Sequence, residues 1–400
     1  MVSIVFYFQA HQPYRVKNYP VFNIGNDEKY FNSNQGKTDN KAILKKVSEK
    51  SYLPSNKMML ELLNKHPEFK LSYSISGVLL EQLEKHEPKV LESFQDLYDT
   101  GRVELLNETY YHSLSFIHSE VEFLEQVKMH QEKIKELFGA KPTVFRNTEL
   151  VYNNDVAKMV EKLGYKATMA EGWDKYLGWR SPNFVYKAKD SKTKLLFRNY
   201  KLSDDMSFRF SSKDWKEWPL TSEKFSNWIN QANGGGEVIN LFLDYETFGE
   251  HQWTETGIFD FVKNLPNEIL KHPDNEFLTP SQAVDKYQVR DEVDIPHYLS
   301  WADVDRDLSA WIGNQMQQNA LHQIFQIEND VKNTKDIKLL EKWRKLTTSD
   351  HFYYMCTKWF NDGDVHKYFS PYDSPYTAYF NFMNAMKDLK SRVYAQKIEK

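Results

Sequence analysis

The chain has 400 residues, of which 27% are charged and 40% are hydrophobic, with a formal net charge of −4. This composition supplies enough apolar surface for a large core and excludes a disordered chain. The slightly acidic balance provides no basic field for nucleic acid or an anionic membrane surface. Aromatic residues make up 15% of the chain, and we expect part of them to line a groove rather than a core.

The ends and the cysteine content indicate a cytoplasmic protein. Cys356 is the only cysteine, which excludes an intramolecular disulfide and a cysteine-based metal cluster. The N-terminal sequence MVSIVFYFQAHQP has no basic leader and no small-residue cleavage site. No stretch approaches the roughly 20 apolar residues of a membrane span. We therefore expect no membrane contact.

Short apolar runs alternate with longer amphipathic stretches in the first part of the chain. Between two of the runs, Phe123, Val127 and Ile134 recur on one face of a predicted helix over 119–138. Repeated strand–helix units imply a parallel sheet, and seven of them favour a closed or nearly closed barrel. The seven predicted strands are 3–10, 69–76, 102–107, 142–147, 166–170, 194–200 and 237–244.

After about residue 290 the pattern becomes helical. The sequence there predicts no convincing strand, and we expect helices over 307–332, 336–347, 349–360 and 375–397. Two polar or irregular segments, 17–52 and 205–221, are predicted as long loops. The expected fold class is therefore α/β, with a (β/α)7 barrel (an incomplete TIM-like barrel) as catalytic domain over 1–290 and a C-terminal helical bundle packed on it over 291–400.

Carboxylates, histidines and amides gather where the predicted strands end. A single polar strand end carries no information, because every strand in water must end in something polar. Six ends rich in Glu, Asp, His and Asn predict one common site, since the carboxyl ends of barrel strands converge on one mouth. The segments are His11-Gln12, Glu81-Gln82, Asn107 to His112, Arg146 to Glu149, Glu171 to Asp174 and Asp244 to His251.

Paired carboxylates leave three kinds of site open. Glycoside hydrolysis needs one carboxylate nucleophile and one carboxylic acid. Metal-dependent hydrolysis needs a cluster of His and carboxylate ligands. Simple ligand binding needs only hydrogen-bonding partners. Neighbouring aromatic rings favour a sugar ligand, because pyranose C–H faces pack on them; these are Tyr7, Tyr110, Tyr111, Trp173, Tyr245, Phe248, Trp253 and Trp301.

Several of these segments resemble the conserved regions of glycoside hydrolase family 57, with the closest match to its α-amylase branch. In chain order they are HQPYRV (11–16), GVLLEQL (77–83), FRNTELVYNN (145–154), DYETFGEHQW (244–253) and SWADVDRDLSAWIGN (300–314), and NETYYHSLS (107–115) is also similar. FRNTEL and DYETFGEHQW are the specific motifs. The last 85 or so residues carry no motif that can be placed.

The resemblance implies a retaining enzyme that acts on α-glucans, and we expect no cofactor and no metal. It implies that Glu149 is the nucleophile and Asp244 the general acid/base. Retention implies carboxyl groups about 5–5.5 Å apart. For Asp244 to be protonated, its pKa must be raised by a nearby negative charge or by apolar cover. We expect Glu246 to supply that charge and Tyr245 and Phe248 the cover.

The resemblance also implies which residues surround the sugar. These are His11, Glu81, Glu246 and Asp307, of which Asp307 is the least secure because Asp303 and Asp305 lie close by in the motif. Aromatic platforms are expected from Tyr111, Trp173, Trp253 and Trp301.

Three alternatives stay open on the sequence. A metal-dependent carbohydrate hydrolase or deacetylase could use His11, His112 and Asp244, although no His-x-Asp or His-x₃-His spacing is present. A glucan-binding protein without activity is disfavoured by the presence of both Glu149 and Asp244. A 4-α-glucanotransferase would use the same residues, because acceptor choice depends on loop shape and water access. The oligomeric state is not predicted.

Overall fold

The computed structural model describes residues 2–34, 36–358 and 365–398. Its strands form one mixed sheet in an α/β fold. In chain order the strands are β1 (Val2–Ala10), β2 (Leu71–Ile75), β3 (Val103–Leu105), β4 (Val144–Phe145), β5 (Ala167–Glu171), β6 (Val185–Ala188), β7 (Lys194–Arg198), β8 (Val238–Asp244), β9 (Asn275–Phe277) and β10 (Glu292–Val293).

Parallel pairing dominates the sheet. Strand β1 lies between β2 and β8, with Gln9 opposite Ser74 on one side and Asp244 on the other. The pairing continues from β2 to β3, from β4 to β5, from β5 to β7 and from β7 to β8. A parallel bridge between Asn107 and Phe145 joins the end of β3 to β4. Among the described strands, β6 and β7 form the only antiparallel pairing, and β10 pairs parallel with β6.

Helices follow most strands, as parallel connections require. In chain order they are α1 (Asn40–Val47), α2 (Leu53–Lys65), α3 (Gly77–His86), α4 (Pro88–Asp99), α5 (Ser115–His118), α6 (Glu120–Phe138), α7 (Asn154–Lys162), α8 (Asp174–Leu177), α9 (Tyr200–Asp204), α10 (Ser222–Asn230), α11 (Ile258–Leu270), α12 (Pro280–Lys286), α13 (Ser309–Ile312), α14 (Gln315–Gln326), α15 (Glu328–Thr334), α16 (Ile337–Leu346), α17 (Ser349–Tyr353), α18 (Val365–Phe369) and α19 (Pro375–Ile398). Short π-helical turns cover Ser48–Tyr52 and Asp205–Arg209, and 3₁₀ turns cover Val21–Asn23, Gly36–Thr38, Thr148–Leu150, Tyr245–Thr247 and Thr254–Thr256.

Local sequence explains where several helices begin and end. Ser119 caps α6 by accepting a hydrogen bond from the backbone N–H of Glu122, and Gly139 ends that helix in the left-handed region. Asn314 and Gln317 form a reciprocal capping box on α14. The cap at Asn314 separates α13 from α14, and the predicted helix over 307–332 is observed as three helices, α13 to α15.

The strands separate two apolar clusters, because alternate side chains of a strand point to opposite faces. One set packs under the helices and includes Ile4, Phe6, Tyr73 and Leu241. The other set, here called the inner cluster, comprises Val5, Tyr7, Leu106, Val144, Leu150, Ala167, Met169, Val185, Leu196, Val238, Phe242, Leu278, Ala283 and Val284. A third cluster joins residues of α6 and α7 to the helices after residue 308, including Trp311 and Trp343.

The seven predicted strand segments each overlap an observed strand. The prediction missed β6, β9 and β10, which are short. Segment 17–52 was wrongly predicted as loop alone, since it includes α1. The predicted helix over 349–360 is observed only as α17, and its last two residues lie outside the described part of the chain. Within that described part, no helix has the length and apolarity to cross a membrane.

Candidate active site

A layer of polar side chains covers the inner cluster at the carboxyl ends of the strands. Six residues follow an inner-cluster residue by two positions, so their side chains continue the same face of the extended chain. They are Gln9, Glu108, Arg146, Glu171, Arg198 and Asp244. Glu108, Arg146 and Glu171 are fully buried. The strand geometry therefore brings three carboxyls and two guanidinium groups to one end of the sheet.

Glu149 stands on a strained turn above this layer. The 3₁₀ turn Thr148–Leu150 follows β4, and Glu149 adopts φ 56° and ψ 26°, a left-handed conformation that is uncommon for a residue with a Cβ. Leu150 also has a positive φ of 53°, and it is buried in the inner cluster. Burial of Leu150 holds the turn, and the turn directs the Glu149 side chain, which is 20% exposed, toward the site.

His112 bridges two carboxylates. Its Nδ1 lies 2.8 Å from Oε2 of Glu108 and its Nε2 lies 3.3 Å from Oε1 of Glu149. Burial alone would lower the pKa of His112, but hydrogen bonds to both carboxylates raise it to about 9. The ring is thus an imidazolium with both nitrogens donating. Burial would raise the pKa of Glu149, and the hydrogen bond and charge of His112 lower it below its ordinary value instead.

Asp244 has the opposite protonation behaviour. Burial and the negative charge of Glu149 raise its pKa to about 6, against the opposing effect of Arg146 and Arg198. We predicted Glu246 as the raising charge, but burial and Glu149 are the leading causes. Glu246 itself has a pKa raised to about 7 by burial and by Asp244. The site therefore holds one carboxylate that is readily ionised beside one that is readily protonated.

His11 lies against His112 and has two polar partners. The two rings stack with centroids 4.0 Å apart, and burial together with the His112 charge lowers the pKa of His11. Its Nδ1 lies 2.6 Å from the Ser76 hydroxyl and its Nε2 lies 2.9 Å from Oδ2 of Asp350. Burial would raise the pKa of Asp350, but His11 lowers it far below its ordinary value.

Glu246 lies on the other side of His11. The backbone N–H of His11 donates to its Oε1 over 3.2 Å, and the Tyr52 hydroxyl donates to the same oxygen. Glu246 is 5% exposed. His11 and Glu246, both predicted sugar-binding residues, are therefore brought together.

Trp301 contacts the proposed nucleophile directly. Its indole Nε1 donates to Oε2 of Glu149 over 3.2 Å, while the Ser349 hydroxyl donates to Oε1 over 3.2 Å. The guanidinium of Arg146 lies 4.8 Å from the Trp301 ring centroid. Arg146 is fully buried, and none of its guanidinium nitrogens has a hydrogen-bond partner among the described residues.

Three predicted sugar-binding residues lie in other surroundings. Tyr111 is 1% exposed and packs against Tyr110 and Val78, so it offers no ring face to a ligand. Asp307 accepts from the backbone N–H of Ser309 at the start of α13 and faces solvent. Glu81 accepts from the Tyr110 hydroxyl and pairs with Lys345 at 3.1 Å, an arrangement typical of a partly exposed structural carboxylate.

The aromatic residues near the strand ends divide into two groups. Trp253 is 60% exposed, with Lys50 over its ring, and Trp173 is half-buried beside Tyr176. Trp253 is the more exposed of the two, whereas Lys175 Nζ lies 4.9 Å from the Trp173 ring centroid. Tyr245 and Phe248 are fully buried in the apolar cluster that packs under the helices. The prediction that they are sugar platforms was therefore wrong.

The sequence prediction missed two residues of the site. Glu108 was named only as part of a polar strand end, although it pairs with His112 and accepts from Gln9 Nε2 over 3.0 Å. Asp350 lies in the first turn of α17, so the strand-end rule could not find it. Within the described chain, no group of three or more His, Cys, Asp or Glu side chains is arranged to hold a metal ion.

Solved structures share this fold. The alpha-amylase AmyC from Thermotoga maritima aligns with a TM-score of 0.63 and 15% identity, covering 99% of this chain and 93% of that one. A 4-alpha-glucanotransferase from Thermococcus litoralis aligns with a TM-score of 0.66 and 17% identity, and there the match covers 88% of this chain and 56% of the other.

Sequence comparison gives the family. A protein of Methanocaldococcus jannaschii named "Putative alpha-amylase" is 45% identical over 400 residues, which is 97% of this chain and 84% of that protein. The sequence model of glycosyl hydrolase family 57 matches residues 5–296, which include Glu149 and Asp244. The chain belongs to glycosyl hydrolase family 57.

Proposed function

We propose that this glycoside hydrolase is an α-amylase that cleaves α-1,4-glucosidic bonds of starch, glycogen or maltodextrins with retention of configuration. Glu149 is the nucleophile and Asp244 is the general acid/base. Family membership supports the reaction class, and the similarity to the Methanocaldococcus jannaschii protein supports the amylase activity.

The observation that carries the proposal is the opposite shift of two neighbouring carboxyl pKa values. Glu149 is stabilised as the anion by His112, whereas Asp244 has a pKa of about 6 that depends in part on the Glu149 charge. Two titratable groups whose surroundings separate their pKa values are the usual mark of an acid and a nucleophile in one site.

In the first step, an oxygen of ionised Glu149 attacks the anomeric carbon. The bond from that carbon to the glycosidic oxygen breaks, and Asp244 gives its proton to the leaving oxygen. The product is a glucosyl ester of Glu149 and a released chain end. His112 enters this step protonated, with a pKa of about 9 in the free enzyme.

The second step uses the change in charge that the first step produces. Esterification removes the negative charge of Glu149, which is a leading cause of the raised pKa of Asp244. Asp244, now ionised, takes a proton from water as the water oxygen attacks the anomeric carbon, and the ester bond to Glu149 breaks. One residue thus acts first as acid and then as base.

The remaining polar groups fit the binding of sugar hydroxyls. Burial and the neighbouring His112 charge lower the pKa of His11, which favours the neutral ring, and its two nitrogens are held by Ser76 and Asp350. Asp350 and Glu246 flank it. Trp253 supplies an exposed ring for further glucose units, and the half-buried Trp173 is a second candidate.

The finer architecture is part of the same proposal. A (β/α)7 barrel over 1–290 with a helical bundle over 291–400 is supported by the bridge between Asn107 and Phe145. With that bridge, pairings link β1, β2, β3, β4, β5, β7 and β8 in a ring. The apolar cluster that includes Trp311 and Trp343 supports packing of the later helices on α6 and α7.

The proposal is tested by the products formed from maltoheptaose. We expect shorter maltooligosaccharides, with the newly formed reducing end appearing first as the α-anomer in proton NMR. The Glu149→Gln variant is the control and should lose this activity. A first product with the β-anomer would contradict retention, and products longer than seven units would indicate glucan transfer rather than hydrolysis.

A further inference from the structure

One loop outside the segment matched by the family model contacts the proposed nucleophile twice. This loop, residues 299–307, is here called the strap. The Ser300 hydroxyl donates to the carbonyl oxygen of Glu149 over 3.0 Å, and the Trp301 indole N–H donates to its carboxylate over 3.2 Å. Leu299 is fixed by two backbone hydrogen bonds of 2.8 Å with Tyr152.

The other end of the strap is anchored to the sheet by a charge cluster that the proposed mechanism does not use. Nη1 of Arg306 donates to Oε2 of Glu171 over 2.9 Å, and Nη1 of Arg198 donates to the same oxygen over 3.1 Å. Glu171 is fully buried at the end of β5. Arg198 also donates to Asp204 over 2.6 Å. Two guanidinium groups therefore hold one buried carboxylate.

Contacts within the strap connect Arg306 to Trp301. The backbone N–H of Ser300 donates to the carbonyl of Arg306 over 3.0 Å, so the two ends of the strap are tied together. Arg306 has a φ of 48°, a strained conformation for a residue with a Cβ. The guanidinium of Arg198 lies 5.8 Å from the Trp301 ring centroid. The charge cluster thus fixes the strap backbone and also lies near the ring that touches Glu149.

Stability alone is a poor reason for such a cluster. Desolvating a carboxylate and two cations offsets much of their attraction, and apolar replacements of similar shape are often as stable. A positioning role accounts for the arrangement better, because a nucleophile must be held within about 0.5 Å of its productive geometry by groups that are themselves fixed.

We propose that Arg306 and Glu171 are positioning residues that act through the strap and Trp301 to orient the carboxylate of Glu149. This inference rests on the proposed role of Glu149 as nucleophile. Trp301 is then a donor to the nucleophile rather than the sugar platform that we predicted from the sequence.

A double-mutant cycle in kcat tests the connection. Trp301→Phe keeps an aromatic ring but removes the N–H donor, and we expect kcat to fall roughly 10-fold to 100-fold with little change in KM. Arg306→Ala should also lower kcat, because it loosens the strap and with it the contact between Trp301 and Glu149. Because both act on one contact, the double variant should be hardly slower than Trp301→Phe alone. Multiplicative losses in the double variant would overturn the proposal.

A second readout does not require activity and so separates this inference from the proposed function. In protein labelled with ¹⁵N-tryptophan, the indole N–H resonance of Trp301 is assigned by its loss in Trp301→Phe. We expect this resonance to shift in Glu149→Gln and also in Arg306→Ala. A resonance that moves in Glu149→Gln but is unchanged in Arg306→Ala would show that the anchor does not set the contact, whatever the enzyme's substrate.

Matched variants control for folding. Arg180→Ala removes another arginine that pairs with an aspartate (Asp291, 2.7 Å) and lies beside a tryptophan (Trp179, 5.3 Å), and it should leave kcat and the Trp301 resonance unchanged. Arg306→Lys keeps the charge but not the planar guanidinium, so kcat should fall less than in Arg306→Ala. If Arg306→Ala does not fold, the cycle is run with Arg306→Lys, and independent effects there would equally overturn the proposal.

Discussion

Replacing His112 by Gln should change both the stability and the pH profile of the enzyme. The imidazolium lies between Glu108 and Glu149, with its nitrogens 2.8 and 3.3 Å from the two carboxylates. Burial opposes the protonated form, yet the two hydrogen bonds raise the pKa of His112 from 6.5 to about 9. A difference of this size corresponds to about 3 kcal/mol of folding free energy.

The sign of the pH dependence follows from the direction of this shift. A raised pKa means that the folded protein binds the proton more tightly, so the contribution is complete below about pH 6.5 and is lost as the pH rises through about 9. The free energy of unfolding of the wild type, measured by urea titration, should therefore exceed that of His112→Gln by about 3 kcal/mol at pH 6, and the difference should be smaller at pH 10.

The same substitution should move the acidic limb of the kcat/KM profile. The hydrogen bond and the charge of His112 lower the pKa of Glu149 against the effect of burial. Without this hydrogen bond and charge, Glu149 is protonated at a higher pH. The midpoint of the acidic limb of the kcat/KM profile should therefore move up by roughly one pH unit. A stability difference that is the same at pH 6 and pH 10, together with an unchanged acidic limb, would refute the assignment of His112 as the ionic bridge.

Three further variants test other parts of the account. Asp350→Asn removes the charged partner of His11, and KM for maltoheptaose should rise roughly tenfold. Because His11 lowers the pKa of the buried Asp350 carboxyl far below its ordinary value, the thermal midpoint should also fall, and an unchanged KM would remove Asp350 from the sugar site. Arg146→Met removes a cation that lowers the pKa of both proposed catalytic carboxyls, so both limbs of the kcat/KM profile should move to higher pH, whereas movement of one limb alone would contradict this electrostatic role. Gly249→Ala places a Cβ 1.9 Å from the carbonyl oxygen of Lys50, at a backbone φ of +99°. The free energy of unfolding, measured by urea titration, should fall by at least about 1 kcal/mol. Wild-type stability would contradict the close approach of the two segments.

The strand pattern explains how far the sequence could predict the site. The strand-end rule places Glu149 and Asp244 at the same edge of the sheet, whereas their roles as nucleophile and acid/base come from the resemblance to the family. Alternation also predicts Glu108 on the same face as Leu106. The sequence did not show that His112 pairs with it, because a left-handed residue with φ 51° turns the chain there.

The sequence predictions for other residues failed for identifiable physical reasons. Tyr245 begins a 3₁₀ turn directly after β8, so the alternation of side chains along the strand stops there. The Tyr245 ring therefore lies in the apolar cluster that packs under the helices. Asp350 meets His11 across 339 positions of sequence, and such a contact depends on how the later helices pack. Asp307 instead accepts a hydrogen bond from the backbone N–H of Ser309 at the start of α13. Short polar side chains often bond to the nearby backbone in this way.

The most direct test of the central claim is the identity of the residue that carries the sugar. A 5-fluoro-α-glucosyl fluoride slows both steps, and its good leaving group lets the covalent intermediate accumulate. Proteolysis and mass spectrometry of the trapped enzyme should then locate the fluoroglucosyl group on Glu149, and the Glu149→Gln variant should not be labelled. Labelling of any other residue, or turnover by the wild type without a trapped ester, would contradict the account.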